Sequence, residues 1–252
     1  YDAARRGGTG CETEMKSPIF IEEHGNTKMV AHRGLSGIET ENTAAAFVAA
    51  GNRGYWGSET DIYRTSDGHF ICSHDSTTGR VCGEDLTIEQ TDFDTLRALV
   101  LHDHDGIRRG DLRLCTPEEY LSICRCYGMA CVVELKSEFT DEEIARIIDI
   151  FSGWLDKTIF ISFSEANLDR VKATLPNQCC QWLTWNWTDE LPAHLASKGI
   201  GLDIAANCLS EERFKALREH GVEINTWTVD DPAEAARLVS LGVDQITTNI
   251  LR

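Results

Sequence analysis

The 252-residue chain lacks the features that would place it across a membrane, on a polyanion or in a disulfide scaffold. Long apolar runs are missing: one of the longest is the seven residues Ala44–Ala50, against roughly 18 or more in a spanning helix, so membrane insertion is not expected. Positive charge is scarce, with 24 Lys and Arg against 41 Asp and Glu and a formal net charge of −17. A surface of that sign repels phosphate backbones unless cations gather in one patch, and here they are scattered. Nucleic acid is therefore not an expected partner, and a phosphate ester would have to be held by a metal or by individual Arg and Lys side chains. Prolines number only 5, and 42% hydrophobic with 26% charged residues is not the composition of a disordered chain. Paired CxxC zinc spacing is also missing from the ten cysteines: Cys179 and Cys180 are adjacent, Cys124 and Cys126 are two apart, and Cys131 lies in an apolar run. A domain of this size needs no covalent staples, so free thiols and a cytoplasmic location are the expectation.

What is present is an alternation of short β-branched runs with longer helical patterns. Residues 1–27 open polar and Gly-rich and read as a flexible tail and lead-in, followed by one domain over 28–252. Strand-like runs fall at about Lys28–His32, Gly57–Thr65, Ala130–Lys136, Thr158–Phe163, Cys180–Thr184, Ile200–Ile204, Val222–Val229 and Asp244–Thr247. Helical patterns lie between them at Asn42–Asn52, Pro117–Tyr127, Asp141–Leu155, Glu165–Thr174, Asp189–Ser197, Glu211–Glu219 and Pro232–Ser240. Thr116, Thr140 and Ser210 are suited to N-caps and Pro117 and Pro232 to first turns. Eight strand-helix units suggest an α/β fold, a (β/α)8 TIM barrel, which fills about 250 residues as a single domain. The interval from Gly57 to Ala130 is too long for one crossover and predicts a small insertion after the second strand, about residues 76–115.

In such a barrel the strands' carboxyl ends build the active site, and the polar clusters are concentrated there. His32-Arg33-Gly34 closes the first strand, Glu59-Thr60-Asp61 lies in the second, His74-Asp75 follows the run Gly68–Ser73, and Glu134-Leu135-Lys136 ends the third. Residues two apart on a strand share a face, which pairs Glu59 with Asp61 and Glu134 with Lys136. Three carboxylates in one barrel mouth repel one another unless a cation neutralises them, and an all-oxygen set suits one hard divalent ion, Mg2+ or Ca2+, better than zinc. Taken singly, each cluster reads more simply as a salt bridge or a structural histidine. Taken together in successive apolar strands, they would leave several buried charges unsatisfied without a functional role.

The text VAHRG at Val30–Gly34, ETENTAAAF at Glu39–Phe47, ETDIYRTSDGHFICSHD at Glu59–Asp75, VVELK at Val132–Lys136, ISFS at Ile161–Ser164 and NTWTVD at Asn225–Asp230 resembles the glycerophosphodiester phosphodiesterase family. The similarity runs from about Val30 to the C-terminus. It implies a TIM barrel in which Glu59, Asp61 and Glu134 hold a divalent metal, His32 and His74 act as acid and base, and Arg33 and Lys136 contact phosphate. Trp227 becomes a candidate for stacking on the substrate. The implied reaction is metal-dependent hydrolysis of a glycerophosphodiester, a small-molecule substrate, to glycerol 3-phosphate and an alcohol. The chain departs from the family at Thr40, where Pro is frequent, and at Asn249, where Asp is common; neither position is expected to touch the metal or histidine set. A phospholipase D-like or lyase barrel acting on intact lipids, and a non-catalytic binding barrel, are the rival readings. The −17 charge disfavours approach to anionic bilayers, and a degenerate barrel would be expected to have lost a ligand or a histidine.

Four further features read as structural. Residues His102-Asp103-His104-Asp105, beside Gly106, suggest a solvated turn. Trp182, Trp185 and Trp187 suggest packing at the core or rim, Phe163 suggests core, and Asn42 suggests the cap of the first helix.

Overall fold

The computed structural model describes residues 17–21 and 23–252. Nine strands form one sheet: β1 (Lys28–Ala31), β2 (Gly57–Arg64), β3 (Phe70–Cys72), β4 (Ala130–Leu135), β5 (Thr158–Ser162), β6 (Cys180–Thr184), β7 (Gly201–Ala205), β8 (Ile224–Trp227) and β9 (Gln245–Thr248). Eight of them are parallel, and the β1–β2 and β1–β9 pairings close the ring. The closed eight-stranded parallel barrel with helices between its strands is the expected TIM barrel.

The helix signals are realised in atoms. Thr116 and Glu119, and Thr140 and Glu143, form reciprocal capping boxes, and Pro117 and Pro232 occupy first turns. Two of the boundary shifts have a local cause. The first helix runs Ala44–Asn52 with Thr43 at its N-cap, because Thr43 Oγ1 accepts from Ala46 N and frees Asn42 for another role. The helix expected to reach Leu155 ends at Phe151, before a Gly153 turn and a short 3-10 segment, Leu155–Lys157.

The over-long interval holds more than a loop. β3 turns back antiparallel on β2, pairing Ile62 with Cys72 and Arg64 with Phe70. Short helices then enclose a separate apolar cluster built from Ile71, Cys82, Ile88, Leu96, Leu101 and Leu112. That cluster gives the insertion a small core of its own beside the mouth. Of the expected tail, residues 1–16 lie outside the described residues; Ile19 and Ile21 run beside the C-terminus, Ile19 N donating to Ile250 O at 3.0 Å.

Two layers of apolar side chains hold the barrel. The outer one lies between sheet and helices, and the inner one joins Val30, Val132, Ile159, Ile161 and Leu183. Tyr120 links the layers to the site strands. Its fully buried hydroxyl donates to Ser58 O at 2.6 Å and accepts from Val132 N at 3.1 Å, pinning β2 to β4 one residue from Glu59 and two from Glu134. Tyr120→Phe removes both bonds, and at about 0.5–1.5 kcal/mol net for each the expected cost is about 1–3 kcal/mol. Denaturant unfolding of the variant checks this; an unchanged midpoint would contradict it.

Candidate active site

The chain reverses sharply as it leaves β1. Arg33 and Gly34 both have positive φ, 54° and 77°. A Cβ on Gly34 would lie 2.6 Å from Ala46 atoms, so only glycine fits this close approach. The reversal points Arg33 N at Glu59 Oε2, 2.7 Å away, and brings the guanidinium within 3.0 Å of Glu41 and 3.8 Å of Asp61.

Register does the rest on the neighbouring strands. β2 and β4 pair Asp61 with Glu134, and Glu59, Asp61 and Glu134 each offer an oxygen within 4.8 Å of the others. All three are buried. Among the described residues this is the only such cluster of acids, histidines or cysteines, and His102–Asp105 forms a turn in which Asp103 Oδ1 accepts from Asp105 N and Ile107 N. Burial, then Asp61, pushes Glu134 up to about 8 against the pull of Lys136. Burial, reinforced by Asp61 and Glu134, also raises Glu59 well above the usual carboxylate range. Asp61 goes the other way: burial opposes ionisation, but Lys136 and Arg33 outweigh it and hold the group low. Asp61 Oδ1 is buried without a hydrogen-bond partner. Three converging oxygens with one orphaned lone-pair atom fit a hard divalent cation.

Lys136 lies 3.0 Å from Glu134 and 3.6 Å from Asp61. Asn42, read from sequence as a cap, instead clamps the cluster. Its Nδ2 donates to Asp61 Oδ2 at 2.8 Å while its Oδ1 accepts from Thr60 Oγ1 at 2.7 Å. The left-handed backbone at Asn42, φ 54°, turns the side chain inward, a conformation asparagine tolerates better than most residues.

His74 follows β3 and bonds through Nδ1 to Asp75 Oδ1 at 2.7 Å. Partial burial works against Asp75 ionising, yet Arg80 and His74 hold it down to about 2. Arg80, from the insertion, binds Asp75 at 2.6 Å and grips both oxygens of Glu41 at 2.7 and 2.8 Å. One chain of ion pairs therefore runs from His74 through Asp75, Arg80 and Glu41 to Arg33. Losing solvent, and then facing Arg33, lowers His32 to about 4.

His32, Arg33, Glu59, His74, Glu134 and Trp227 line one pocket. Asp61 and Lys136, the remaining expected site residues, are not among its lining but touch two lining residues, Arg33 and Glu134. Two of the further lining residues, Phe163 and Asp203, bear on its chemistry. Phe163, expected in the core, stands just past the end of β5 with 40% of its surface exposed, and its ring meets Trp185 at 4.9 Å and Trp227 at 5.8 Å. These three rings form an apolar wall at the mouth, whereas Trp182 and Trp187 pack against the core. Asp203 on β7 is buried, with an unpartnered Oδ1, and burial together with Glu134 raises it well above the usual range. Its one sequence signal was an acid within the apolar run Ile200–Ile204. The expectation for Asn249 is corrected: its Oδ1 lies 2.8 Å from His32 Nδ1, because the end of β9 adjoins the end of β1 in the closed barrel. Thr40 does stay apart, donating to His102 O at 2.7 Å.

The geometry makes a direct prediction for metal binding. Glu134→Gln should weaken affinity for Mg2+ or Ca2+ at least about tenfold, since removing one charged oxygen lowers the ligand charge that sets affinity. Binding should also release protons near neutral pH, because carboxyls pushed upward must deprotonate to ligate. Calorimetric titration in two buffers measures both; unchanged affinity in the variant would remove Glu134 from the ligand set.

Comparison with known proteins bears on the same residues. Residues 32–251 match the model of the glycerophosphoryl diester phosphodiesterase family. A glycerophosphodiester phosphodiesterase of Caldanaerobacter subterraneus subsp. tengcongensis is 26% identical over 88% of this chain and 94% of its own. A glycerophosphodiester phosphodiesterase structure from Parabacteroides distasonis superposes with a TM-score of 0.74 at 27% identity, covering 89% of this chain and 93% of that one. An Oleispira antarctica phosphodiesterase, solved in complex with the product sn-glycerol-3-phosphate, has the same fold, with a TM-score of 0.81, 24% identity, and coverage of 88% of this chain and 93% of that one.

Proposed function

This chain belongs to the glycerophosphoryl diester phosphodiesterase family, and we propose that it cleaves glycerophosphodiesters to glycerol 3-phosphate and an alcohol with His32 and His74 moving the protons. The observation that carries the reading is the convergence of three buried carboxylates, two cations and two histidines around one pocket.

Each residue has a task set by its surroundings. Glu59, Asp61 and Glu134 hold one divalent cation, which when bound neutralises phosphate charge and polarises the P–O bonds. Arg33 offers a planar two-point grip on phosphate oxygens and Lys136 a point charge. His32, with its proton affinity lowered to about 4, is neutral at working pH and able to accept a proton. His74 carries ionised Asp75 on Nδ1, which orients the ring and leaves Nε2 to carry a proton to the departing alkoxide. Trp227, its Nε1 donating to Asp203 O at 3.2 Å, presents a ring to the bound alcohol or glycerol.

The exposed wall of Phe163 and Trp185 favours one variant of this reading, in which the glycerol carries an apolar acyl chain, as in a lysophospholipid, and the products are the acylated glycerol phosphate and the headgroup alcohol. A release assay separates the two. Glycerol 3-phosphate should appear from small-headgroup diesters, stop on addition of chelator and resume with excess Mg2+ or Ca2+. Turnover that is indifferent to chelator would overturn the metal role, and cleavage of lysophospholipids alone would favour the lipid variant. No helix among the described residues is long and apolar enough to cross a membrane.

A further inference from the structure

We infer that Asn249 is a positioning residue for His32: held by Asp230, its side-chain amide fixes the proton of His32 on Nδ1 and leaves Nε2 as the lone-pair nitrogen. Asp230 follows β8, Asn249 follows β9 and His32 follows β1, so three neighbouring strand ends meet in this chain of bonds.

The hydrogen-bond inventory leaves one solution. The Asp230 carboxylate receives three donors: Asn249 N at 2.8 Å and Thr248 Oγ1 at 3.0 Å on Oδ1, and Asn249 Nδ2 at 2.6 Å on Oδ2. An ionised carboxylate only accepts. The amide of Asn249 must therefore turn its NH2 toward Asp230, since the flipped amide would set two acceptors against each other at 2.6 Å. Its Oδ1 is thereby committed to the opposite side, where it faces Ser36 Oγ and His32 Nδ1, both at 2.8 Å. A carbonyl oxygen cannot donate, so the hydrogen on the 2.8 Å bond belongs to the histidine. His32 N meanwhile donates to Thr248 O at 2.9 Å, which anchors the backbone of the same residue on the same strand.

Asparagine achieves this without a charge. A carboxylate at position 249 would accept the same hydrogen but would favour the imidazolium and would stand against Asp230. The neutral amide orients the ring and leaves its proton affinity low, which suits a group that must arrive at the substrate unprotonated. The inference rests on the proposed proton-transfer role of His32 for its catalytic consequence, but not for the tautomer itself.

The test uses the full chain with its histidines labelled with 15N; there are eight, and His32 is assigned by its absence in His32→Gln. The expected spectrum shows a protonated Nδ1 and an unprotonated Nε2 for His32 at neutral pH; the opposite tautomer overturns the inference. Asn249→Leu should mix the tautomers and lower kcat by about 10- to 100-fold, with KM within about threefold. A folded Asn249→Leu protein with unchanged tautomer and kcat would refute the positioning role. Should His32→Ala retain full activity, the proton-transfer reading fails while the wild-type spectrum still decides the tautomer.

Discussion

His32→Ala and His74→Ala should each lower turnover by about 100-fold or more with the fold intact, the scale expected when a positioned acid or base is lost. The surroundings argue that neither ring is structural cement. Removing the His32 ring costs one hydrogen bond, and Asn249 Oδ1 keeps Ser36 as a donor. A net loss of about 1 kcal/mol is the typical size of such a change. The His74 side chain is 34% exposed, and after its loss Asp75 retains Arg80 at 2.6 Å. The ion-pair chain through Arg80 and Glu41 to Arg33 then remains to hold the mouth. Circular dichroism and thermal melting should therefore differ little from wild type while kcat collapses. Calcium or magnesium affinity should also be retained, because neither ring belongs to the carboxylate cluster. A variant with near wild-type turnover on a glycerophosphodiester would remove that histidine from the reaction.

The residues whose placement was legible in the sequence are those whose geometry is set within a few positions. His32-Arg33-Gly34 reads as the close of the first strand, and the structure adds the tight reversal there, where a Cβ on Gly34 would strike Ala46. Glu59 and Asp61 announce a shared face through strand alternation alone, and the barrel register then brings Glu134 opposite Asp61. What stayed hidden depends on where a segment folds back. Asn42 looks like a cap because asparagine beside a helix start usually is one, and only the path of the loop from Gly34 aims it at Asp61. Phe163 looks like core because it continues an apolar strand, yet it lies one residue past β5, where inward means the solvent-filled mouth. Asn249 looks remote at the far end of the chain, and becomes a neighbour of His32 only when β9 pairs with β1. The insertion was legible as a length anomaly, whereas its use of Arg80 to brace both His74 and Arg33 was not, because ion pairs between distant segments leave no periodic trace.

Lys136→Met should lower kcat/KM by about one to three orders of magnitude, the range for losing one charge-stabilising donor at a transition state. The ammonium is 3.0 Å from Glu134 and 3.6 Å from Asp61, with the side chain only 13% exposed. Burial alone would ease its deprotonation, but Asp61 and Glu134 outweigh that and hold it charged well beyond neutral pH. A purely structural lysine in this place would also be costly to remove, since taking one partner from a buried ion pair typically costs about 3–5 kcal/mol. Stability by itself therefore cannot distinguish the roles, and the metal supplies the discrimination. With Mg2+ or Ca2+ saturating the three carboxylates, their charge is compensated without the lysine, so the thermal midpoint of Lys136→Met should recover toward that of the metal-loaded wild type. The catalytic deficit should persist under the same conditions, because an orienting cation for the phosphate is still missing. Melting curves and kcat/KM measured on one metal-loaded preparation give both readouts. A variant that regains full kcat/KM along with its stability would reduce Lys136 to a counter-charge and leave Arg33 as the protein's one cation on the phosphate.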